Sequence, residues 1–289
     1  MASNLAPSHW LVNVVLIALF LVGGCANSKE NGDDLVDRAQ QAKQAEQFDE
    51  AQQLAERALE EGKKIHQTQQ ILADLARRRA AIAVEQDNFA DAHQAYVEAS
   101  ELEPSRARRA DDLLDAIDAG RNAGMVDADL LPLAVAAVDG RPHDQSLRRE
   151  IARIAEDQGD RTLAIEHYLW LFSADPDDTR SGLRLGVLYL ADDRPADAAS
   201  VLRRVVDADP DNTQAALNLA RALAAISRHD EAAQLYSELS ERFPENPAIL
   251  RQFAAFEEER GNYRRARQLR EKAEQAQPGL EPREMRPLQ

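Results

Sequence analysis

Proline recurs in this chain at an almost constant interval. The first interval is 38 residues and the next four are 34 residues each, for Pro104, Pro142, Pro176, Pro210, Pro244 and Pro278. Four alanines keep the same step of 34 residues: Ala164, Ala198, Ala232 and Ala266. A fixed period of this length is typical of a repeat protein, in which each period folds as one small unit and buries its apolar face against the next unit.

Each period reads as two helices joined by a short turn, as residues 179–212 illustrate. The first half places small and apolar residues on one helix face, at positions i, i+3, i+4 and i+7: Gly182, Leu185, Gly186 and Tyr189. Pro195 suits the first turn of a second helix, whose buried stripe is Ala198, Leu202 and Val205. Pro210 ends that helix, because the residue before a proline avoids the helical conformation, and Asn212 can cap the next helix.

This pattern resembles the tetratricopeptide repeat family. The matching residues are Ala80, Ala92, Tyr96 and Pro104; Ile151, Ala152, Gly159, Ala164, Tyr168 and Pro176; Leu185, Gly186, Tyr189, Ala198 and Pro210; and Leu219, Ala220, Ala232, Tyr236 and Pro244. The resemblance implies an all-α fold, an α–α superhelix (solenoid) in which the first helix of each pair lines a concave groove. We place about seven pairs in a solenoid at 32–280, followed by a C-terminal tail at 281–289. The pairs are 32–65, 73–106, 107–144, 145–178, 179–212, 213–246 and 247–280.

Two of these repeats depart from the pattern. Residues 107–144 are four residues longer than the others and lack the pair of small residues, so we expect a degenerate repeat there. In the last repeat, Glu257 and Arg270 stand where apolar residues are expected. A terminal repeat with a polar outer face acts as a solubilising cap, and we interpret the last repeat in this way.

The N-terminal segment predicts export and a lipid anchor. Trp10 to Val22 form an apolar run of 13 residues, about 20 Å as a helix, against a bilayer core of about 30 Å. The run ends in Val22-Gly23-Gly24-Cys25, which resembles the lipobox of bacterial lipoproteins. The resemblance implies a signal peptide at 1–24, acylation of Cys25, and sorting to the outer membrane, since Ala26 follows. Residues 25–31 then form a polar tether. An uncleaved membrane anchor is the alternative, and the first nine residues depart from the lipoprotein pattern by lacking Lys and Arg.

Composition and spacing argue against several classes of function. The net charge is −16, whereas nucleic-acid binders are usually basic. One cysteine permits no internal disulfide, and six scattered histidines show no metal-ligand spacing. Asp207 to Asn212 imitate the start of a calcium loop, but the glycine and the closing glutamate are missing, so we interpret them as a loop between repeats. No nucleophile–base motif is present, and we expect no enzyme, no cofactor and no metal; we rank a hydrolase, to be tested at His167 and His229, last.

The predicted groove combines apolar residues with arginines. On the first helices, the side next to the buried stripe carries Arg149, Arg153, Arg180, Leu183, Arg184, Val187, Leu217, Arg221 and Arg251. Arginine forms bidentate contacts with carboxylates, so we expect a protein or peptide segment that is apolar and partly acidic as the ligand. The alternative is that these arginines are only solvated.

The predicted function is therefore a lipid-anchored scaffold of the cell envelope, facing the periplasm, that binds a protein or peptide partner in an envelope, secretion or pilus-type assembly. The alternative is a structural or self-associating envelope protein without a peptide-binding groove. Arg260 to Lys272, with a local charge of +5, could meet an acidic partner or lipid headgroups, but such a run is more often a solvated helix face.

Overall fold

The computed structural model describes residues 32–276, and the regular structure in this part of the chain is entirely α-helical. Its fourteen helices are α1 (Gly32–Gln44), α2 (Phe48–Glu60), α3 (Ile65–Glu85), α4 (Phe89–Leu102), α5 (Arg106–Asn122), α6 (Asp127–Ala137), α7 (Gln145–Gln158), α8 (Arg161–Ala174), α9 (Thr179–Ala191), α10 (Pro195–Ala208), α11 (Thr213–Ala225), α12 (His229–Arg242), α13 (Pro247–Glu259) and α14 (Tyr263–Gln275). Within α1 to α6 and within α7 to α14, each helix packs on the next as an antiparallel pair, so the predicted all-α solenoid is confirmed.

Contacts divide the chain into two compact units, which meet in sequence between Asp144 and Gln145. The boundary falls between the third and the fourth of the predicted repeats. Unit 1 contains α1 to α6, and unit 2 contains α7 to α14.

Side-chain caps explain where the helices of unit 2 begin. Asp178 Oδ1 accepts the backbone N–H of Ser181 at 3.0 Å at the start of α9, and Asn212 Oδ1 accepts that of Ala215 at 3.0 Å at the start of α11. These bonds satisfy helix-terminal N–H groups that lack an intrahelical partner. Helix α10 begins at Pro195, where proline loses no hydrogen bond.

Small residues bring the helices of unit 2 close together. A Cβ atom on Gly182 would lie 2.6 Å from the ring of Phe172, and one on Gly186 would lie 2.5 Å from Leu202. The second helices contribute alanines that are fully buried or nearly so: Ala164, Ala198, Ala232 and Ala266. The alanines that keep the 34-residue step therefore mark helix contacts, and Pro176, Pro210 and Pro244 each follow the end of a helix.

The last repeat differs from its prediction at Glu257. This residue is 0% exposed, so it does not belong to a polar outer face. Its carboxylate accepts a hydrogen bond from Asn262 Nδ2 at 2.6 Å and lies 3.2 Å from Arg265 Nη1. The carboxylate is buried because the turn between α13 and α14 and the side chain of Arg265 cover it. Arg270, by contrast, is exposed and pairs with Glu258.

In unit 1, α3 is two turns longer than its neighbour α1. It spans 21 residues and begins at Ile65, whereas the predicted repeat begins at 73. Residues 65–72 stay helical because Thr68, Ile71 and Leu72 are buried, the two apolar side chains in the core of the first pair. Ion pairs set the alignment: Lys64 lies 3.3 Å from Asp37 and Lys43 lies 2.6 Å from Asp74, so α1 runs beside the first half of α3.

Candidate partner-binding face

In unit 2, the first helices of consecutive repeats contact one another. Helix α11 contacts α9 on one side and α13 on the other, whereas second helices of consecutive repeats share no contacts of that extent among the described residues. The first helices therefore lie on the inner side of the bend in this unit, where neighbouring elements are closest.

The inner side of α9 and α11 is basic. These two helices contain Arg180, Arg184 and Arg221 and no Asp or Glu, in a chain whose net charge is −16. All three arginines are exposed, and Arg180 has no ion pair within residues 32–276. Carboxylates are common elsewhere in the unit, for example Glu257, Glu258 and Glu259 at the end of α13. We call the exposed side of Arg180, Leu183, Arg184, Val187 and Arg221 the α9–α11 face.

Two apolar residues lie among these arginines. Leu183 and Val187 are half-buried, and Leu183 packs against the core of the unit. They are four residues apart on α9, so their side chains are neighbours on one helix side. The α9–α11 face therefore offers apolar contact and guanidinium groups within one surface.

Asn218 orients one arginine of this face. Its Nδ2 donates to the carbonyl of Gln214 at 2.9 Å, and its Oδ1 accepts from Arg221 Nη1 at 3.1 Å. The amide thus restricts the guanidinium without neutralising its charge. Sequence reasoning missed Asn218, although a polar residue within the buried stripe of α11 was a usable signal.

Leu217 is not part of the face, and its prediction as a groove residue is wrong. It is only 5% exposed and lies in the core of unit 2. The reason is its position on α11, which lies between α9 and α13 and contacts both.

Other predicted groove arginines pair with carboxylates of the chain itself. Arg149 Nη2 donates to Asp178 Oδ2 at 3.0 Å, which ties α7 to the first residue before α9. Arg184 reaches back to Glu156 on α7 with two contacts of 3.1 Å. Arg153 pairs with Asp157 at 3.0 Å within α7. Arg251 is exposed on α13. The structure therefore leaves Arg180 and Arg221 as the arginines of the α9–α11 face that have no carboxylate partner within residues 32–276.

Burial and charge set the ionisation of the groups around Arg184. Tyr168 Oη donates to Glu156 Oε2 at 3.3 Å, and burial raises the pKa of Tyr168, so the phenol is protonated at neutral pH. At Asp178, burial acts to raise the pKa, but hydrogen bonds from Ser181 and from Arg149 outweigh it and hold the pKa below its ordinary value. The first arrangement connects α8 to α7, and the second connects α7 to the start of α9.

The remaining chemical motifs have structural partners. Asp211, in the loop that imitates a calcium site, pairs with Arg242, while Asn212 caps α11. Residues 32–276 contain no group of three or more His, Cys, Asp and Glu side chains that could hold a metal ion. His167 is buried 3.5 Å from Arg148 Nη1, and burial lowers its pKa, whereas His229 lies beside Phe256 at the start of α12.

The basic stretch from Arg260 to Lys272 forms the turn before α14 and most of that helix. Arg265, Arg267 and Arg270 each pair with a glutamate of α13 or α14, and Arg260 lies 3.8 Å from Asp230. Tyr263 and Arg264 are exposed at the start of the helix. Cys25, the predicted lipidation site, lies outside the described residues. Within those residues, no helix has both the length and the apolar character needed to cross a bilayer.

Comparisons with known proteins agree with this architecture. Two sequence models of the tetratricopeptide repeat match residues 149–213 and 189–249, which lie in unit 2. Among solved structures, YrrB, described as a tetratricopeptide repeat protein with an unusual peptide-binding site, has a TM-score of 0.50 at 16% identity over 65% of this chain and 95% of its own. No curated protein matches this chain in sequence.

Further solved structures are similar at the same level. The MamA RS-1 ArsTM double mutant has a TM-score of 0.50 at 15% identity over 58% of this chain and 93% of its own. A tetratricopeptide repeat protein from Parabacteroides merdae ATCC 43184 has a TM-score of 0.47 at 16% identity over 72% and 80% of the two chains. Identities this low bear on the fold alone.

Proposed function

We propose a specific role for this chain, which belongs to the tetratricopeptide repeat family of protein- and peptide-binding scaffolds. It is a cell-envelope scaffold that holds a partner segment on the α9–α11 face. The partner segment is apolar with acidic side chains. The protein is anchored through lipid on Cys25, faces the periplasm from the outer membrane, and serves an envelope, secretion or pilus-type assembly. Its role is binding rather than catalysis.

One observation carries the binding proposal. Three exposed arginines and no carboxylate occupy α9 and α11, although the chain as a whole carries 51 Asp and Glu against 35 Lys and Arg. A carboxylate of a ligand finds two guanidinium groups, Arg180 and Arg221, that no carboxylate within residues 32–276 occupies. Leu183 and Val187, half-buried on α9, supply apolar contact. Similarity in fold to YrrB, which has a peptide-binding site, supports a peptide-like ligand.

The anchor proposal depends on the sequence at Val22 to Cys25 and on the short apolar run before it. Several acyl chains, at about 0.8 kcal/mol for each buried CH₂, hold a protein stably on a membrane, whereas one chain is marginal. Cys25→Ser is expected to abolish acylation and to leave an unprocessed or a released protein. Intact-mass measurement decides: a free thiol on Cys25 with residues 1–24 retained contradicts the anchor.

The binding proposal is tested with two double variants and one control. Leu183→Glu with Val187→Glu removes the apolar contact, and Arg180→Glu with Arg221→Glu reverses the two arginines that lack a carboxylate partner. We expect both to abolish capture of the partner from detergent-solubilised envelope without unfolding unit 2, which circular dichroism checks. Arg161→Glu, an exposed arginine of α8, is the matched control and is expected to capture normally.

Salt distinguishes the arginine contacts of the α9–α11 face from its apolar contacts. Added salt is expected to weaken capture by the wild-type chain, because exposed charges are screened. Equal capture by the wild-type chain and both double variants would place the binding surface elsewhere.

A further inference from the structure

The second helix pair of unit 1, α3 and α4, extends past the first pair, α1 and α2. The end that extends past them is uncovered. The pairing of Lys43 with Asp74 places the end of α1 beside the middle of α3, and Arg78 lies over the ring of Phe48 at the start of α2, 4.4 Å from its centroid. The last two turns of α3 therefore extend past the first pair. The first half of α4 lies beside these turns and extends with them.

The same positions are covered in unit 2. Arg79 of α3 has its repeat equivalents 72 and 106 residues further along the chain, at Ile151 of α7 and Leu185 of α9. Ile82 has its equivalents at Ile154 and Leu188 in the same way. All four of these residues of unit 2 are buried. In α3, Arg79 is exposed and Ile82 is 41% exposed. Helix α3 thus presents, without a cover, the surface that is buried in the first helices of unit 2.

This uncovered surface forms a cleft of about 400 Å³ between α3 and α4. Ile82, Ala83 and Ala95 form its apolar part, and the ion pair of Arg79 with Glu98, at 2.6 Å, crosses it. The turn at its end is acidic: Glu85, Asp87 and Asp91 are exposed and have no ion pair within the described residues. The cleft therefore fits a helix that has an apolar or aromatic side chain beside basic ones.

The start of α14 has this chemistry. Tyr263 is 68% exposed, the highest value among the large hydrophobic side chains of the described residues, and the exposed Arg264 follows it. Arg267 is one turn further along and is exposed as well. In the repeat before, the residue equivalent to Tyr263 is His229, which contacts Phe256 of the following first helix at 6.4 Å between ring centroids. Phe256 occupies the same repeat position in its helix as Ile82 does in α3.

We infer that the α3–α4 cleft is a docking site for α14 of a second copy of this chain. Tyr263 of one copy packs on Ile82 of the next, and Arg264 and Arg267 face Asp91 and the acidic turn. Because the two contacting surfaces are different, the association is head-to-tail and can continue from copy to copy. This association uses neither the α9–α11 face nor its ligand, so it stands independently of the proposed function.

Sedimentation velocity of the full chain in detergent tests the inference. We expect the wild-type chain to associate as its concentration rises. Tyr263→Ala, Ile82→Arg, Asp91→Lys and Arg264→Glu are each expected to weaken association roughly tenfold or more, as loss of a central interface contact does. Glu60→Lys and Arg161→Glu, which change exposed charges outside both surfaces, are the controls and are expected to associate as the wild type does.

Mixing two variants distinguishes head-to-tail docking from a symmetric contact. The Ile82→Arg chain keeps an intact α14, and the Tyr263→Ala chain keeps an intact cleft, so their mixture is expected to recover one wild-type interface and form heterodimers. A synthetic peptide of residues 260–276 is expected to bind the full chain and to compete with association. A wild-type chain that stays monomeric at all concentrations, or association unchanged by the cleft and α14 variants, overturns the inference.

Discussion

The guanidinium of Arg77 and the carboxylate of Asp112 meet side by side in unit 1: Nε donates to Oδ1 at 2.7 Å and Nη2 donates to Oδ2 at 2.8 Å. Arg77 also pairs with Glu103 and with Asp74. Asp112 and Glu103 are both buried. The hydrogen bond with Asp112 raises the pKa of Arg77, which therefore remains charged. One cation thus connects α3, the end of α4 and α5.

Removal of this cation is expected to be costly. Arg77→Ala leaves two buried carboxylates without their cation, and loss of one partner of a buried ion pair typically lowers the free energy of unfolding by about 3–5 kcal/mol. Arg78→Ala is the matched control: this exposed neighbour lies over Phe48, and its loss is expected to cost about 1 kcal/mol or less. Urea unfolding followed by circular dichroism measures both. If both variants lower the free energy of unfolding by the same amount, the buried ion-pair network does not stabilise the fold more than the exposed contact of Arg78 does.

The link between Arg149 and Asp178 predicts a dependence of stability on pH. The pKa of Asp178 is lower in the folded chain than its ordinary value, so its stabilising effect is present above the ordinary carboxyl pKa and is lost as the pH falls through the folded pKa. Asp178→Asn keeps a capping side chain but removes the charge. We expect this variant to be about 1 kcal/mol less stable at pH 7 and to match the wild type in acid, because Arg149 is partly exposed.

A natural comparison for this pair exists one repeat further along. Asn212 caps α11 as Asp178 caps α9, and Leu183 stands where Arg149 stands in α7. Asn212→Asp therefore introduces a charge without an arginine partner, and no gain in stability is expected at pH 7. If Asn212→Asp raises the free energy of unfolding by as much as Asp178→Asn lowers it, the charge acts through helix capping and not through the ion pair with Arg149.

Truncation of Leu219 is expected to destabilise unit 2. This side chain is 3% exposed in the core of the unit, and Leu→Ala at such a site lowers the free energy of unfolding by about 2–5 kcal/mol. Leu169→Ala, on the exposed side of α8, is expected to cost about 1 kcal/mol or less. Thermal and urea unfolding of the two variants measure the difference, and similar values would contradict the packing of α11.

Tyr236 predicts a loss of stability in alkali. Its ring stacks on Phe253 at 5.4 Å and contacts Phe256 at 5.2 Å, joining α12 to α13, and burial raises its pKa to about 12. Because the folded pKa is raised, the stabilising effect is complete below the ordinary tyrosine pKa of about 10 and is lost as the pH rises through about 12. Tyr236→Phe does not titrate, so the wild type is expected to lose stability relative to this variant over that range. If the free energies of unfolding of the wild type and of Tyr236→Phe change in parallel with pH, the burial of the Tyr236 hydroxyl is contradicted.

Sequence periodicity was sufficient to predict the helix pairs of unit 2. Pro195, Pro210 and the cap at Asn212 act locally, so their effects on helix ends can be read without a structure. The length of α3 could not be read in the same way. Its beginning was extrapolated from the 34-residue step, whereas the helix starts at Ile65 because Ile71 and Leu72 enter the core of the first pair.

The candidate face was predicted in part for a related reason. Helical spacing places Arg180, Leu183, Arg184 and Val187 on one side of α9, and the structure agrees that they are exposed or half-buried. Whether a side chain is covered depends on the neighbouring repeat, and spacing within one helix does not contain that information. This is why Leu217 is buried and why the contacts of Arg149 with Asp178 and of Arg184 with Glu156 were not anticipated.

The local charge of the α9–α11 face is opposite in sign to the charge of the whole chain, which is −16. An acidic segment is repelled by the molecule as a whole while it approaches, and it meets the attraction of the arginines only within about 8 Å, the Debye length at physiological ionic strength. Salt that screens the longer-range repulsion therefore speeds the encounter even as it shortens the lifetime of the complex, the reverse of ordinary electrostatic steering. The arginines discriminate after contact. For such a surface, a high local concentration of ligand, as when two proteins are held on one membrane, matters more than rapid capture from solution.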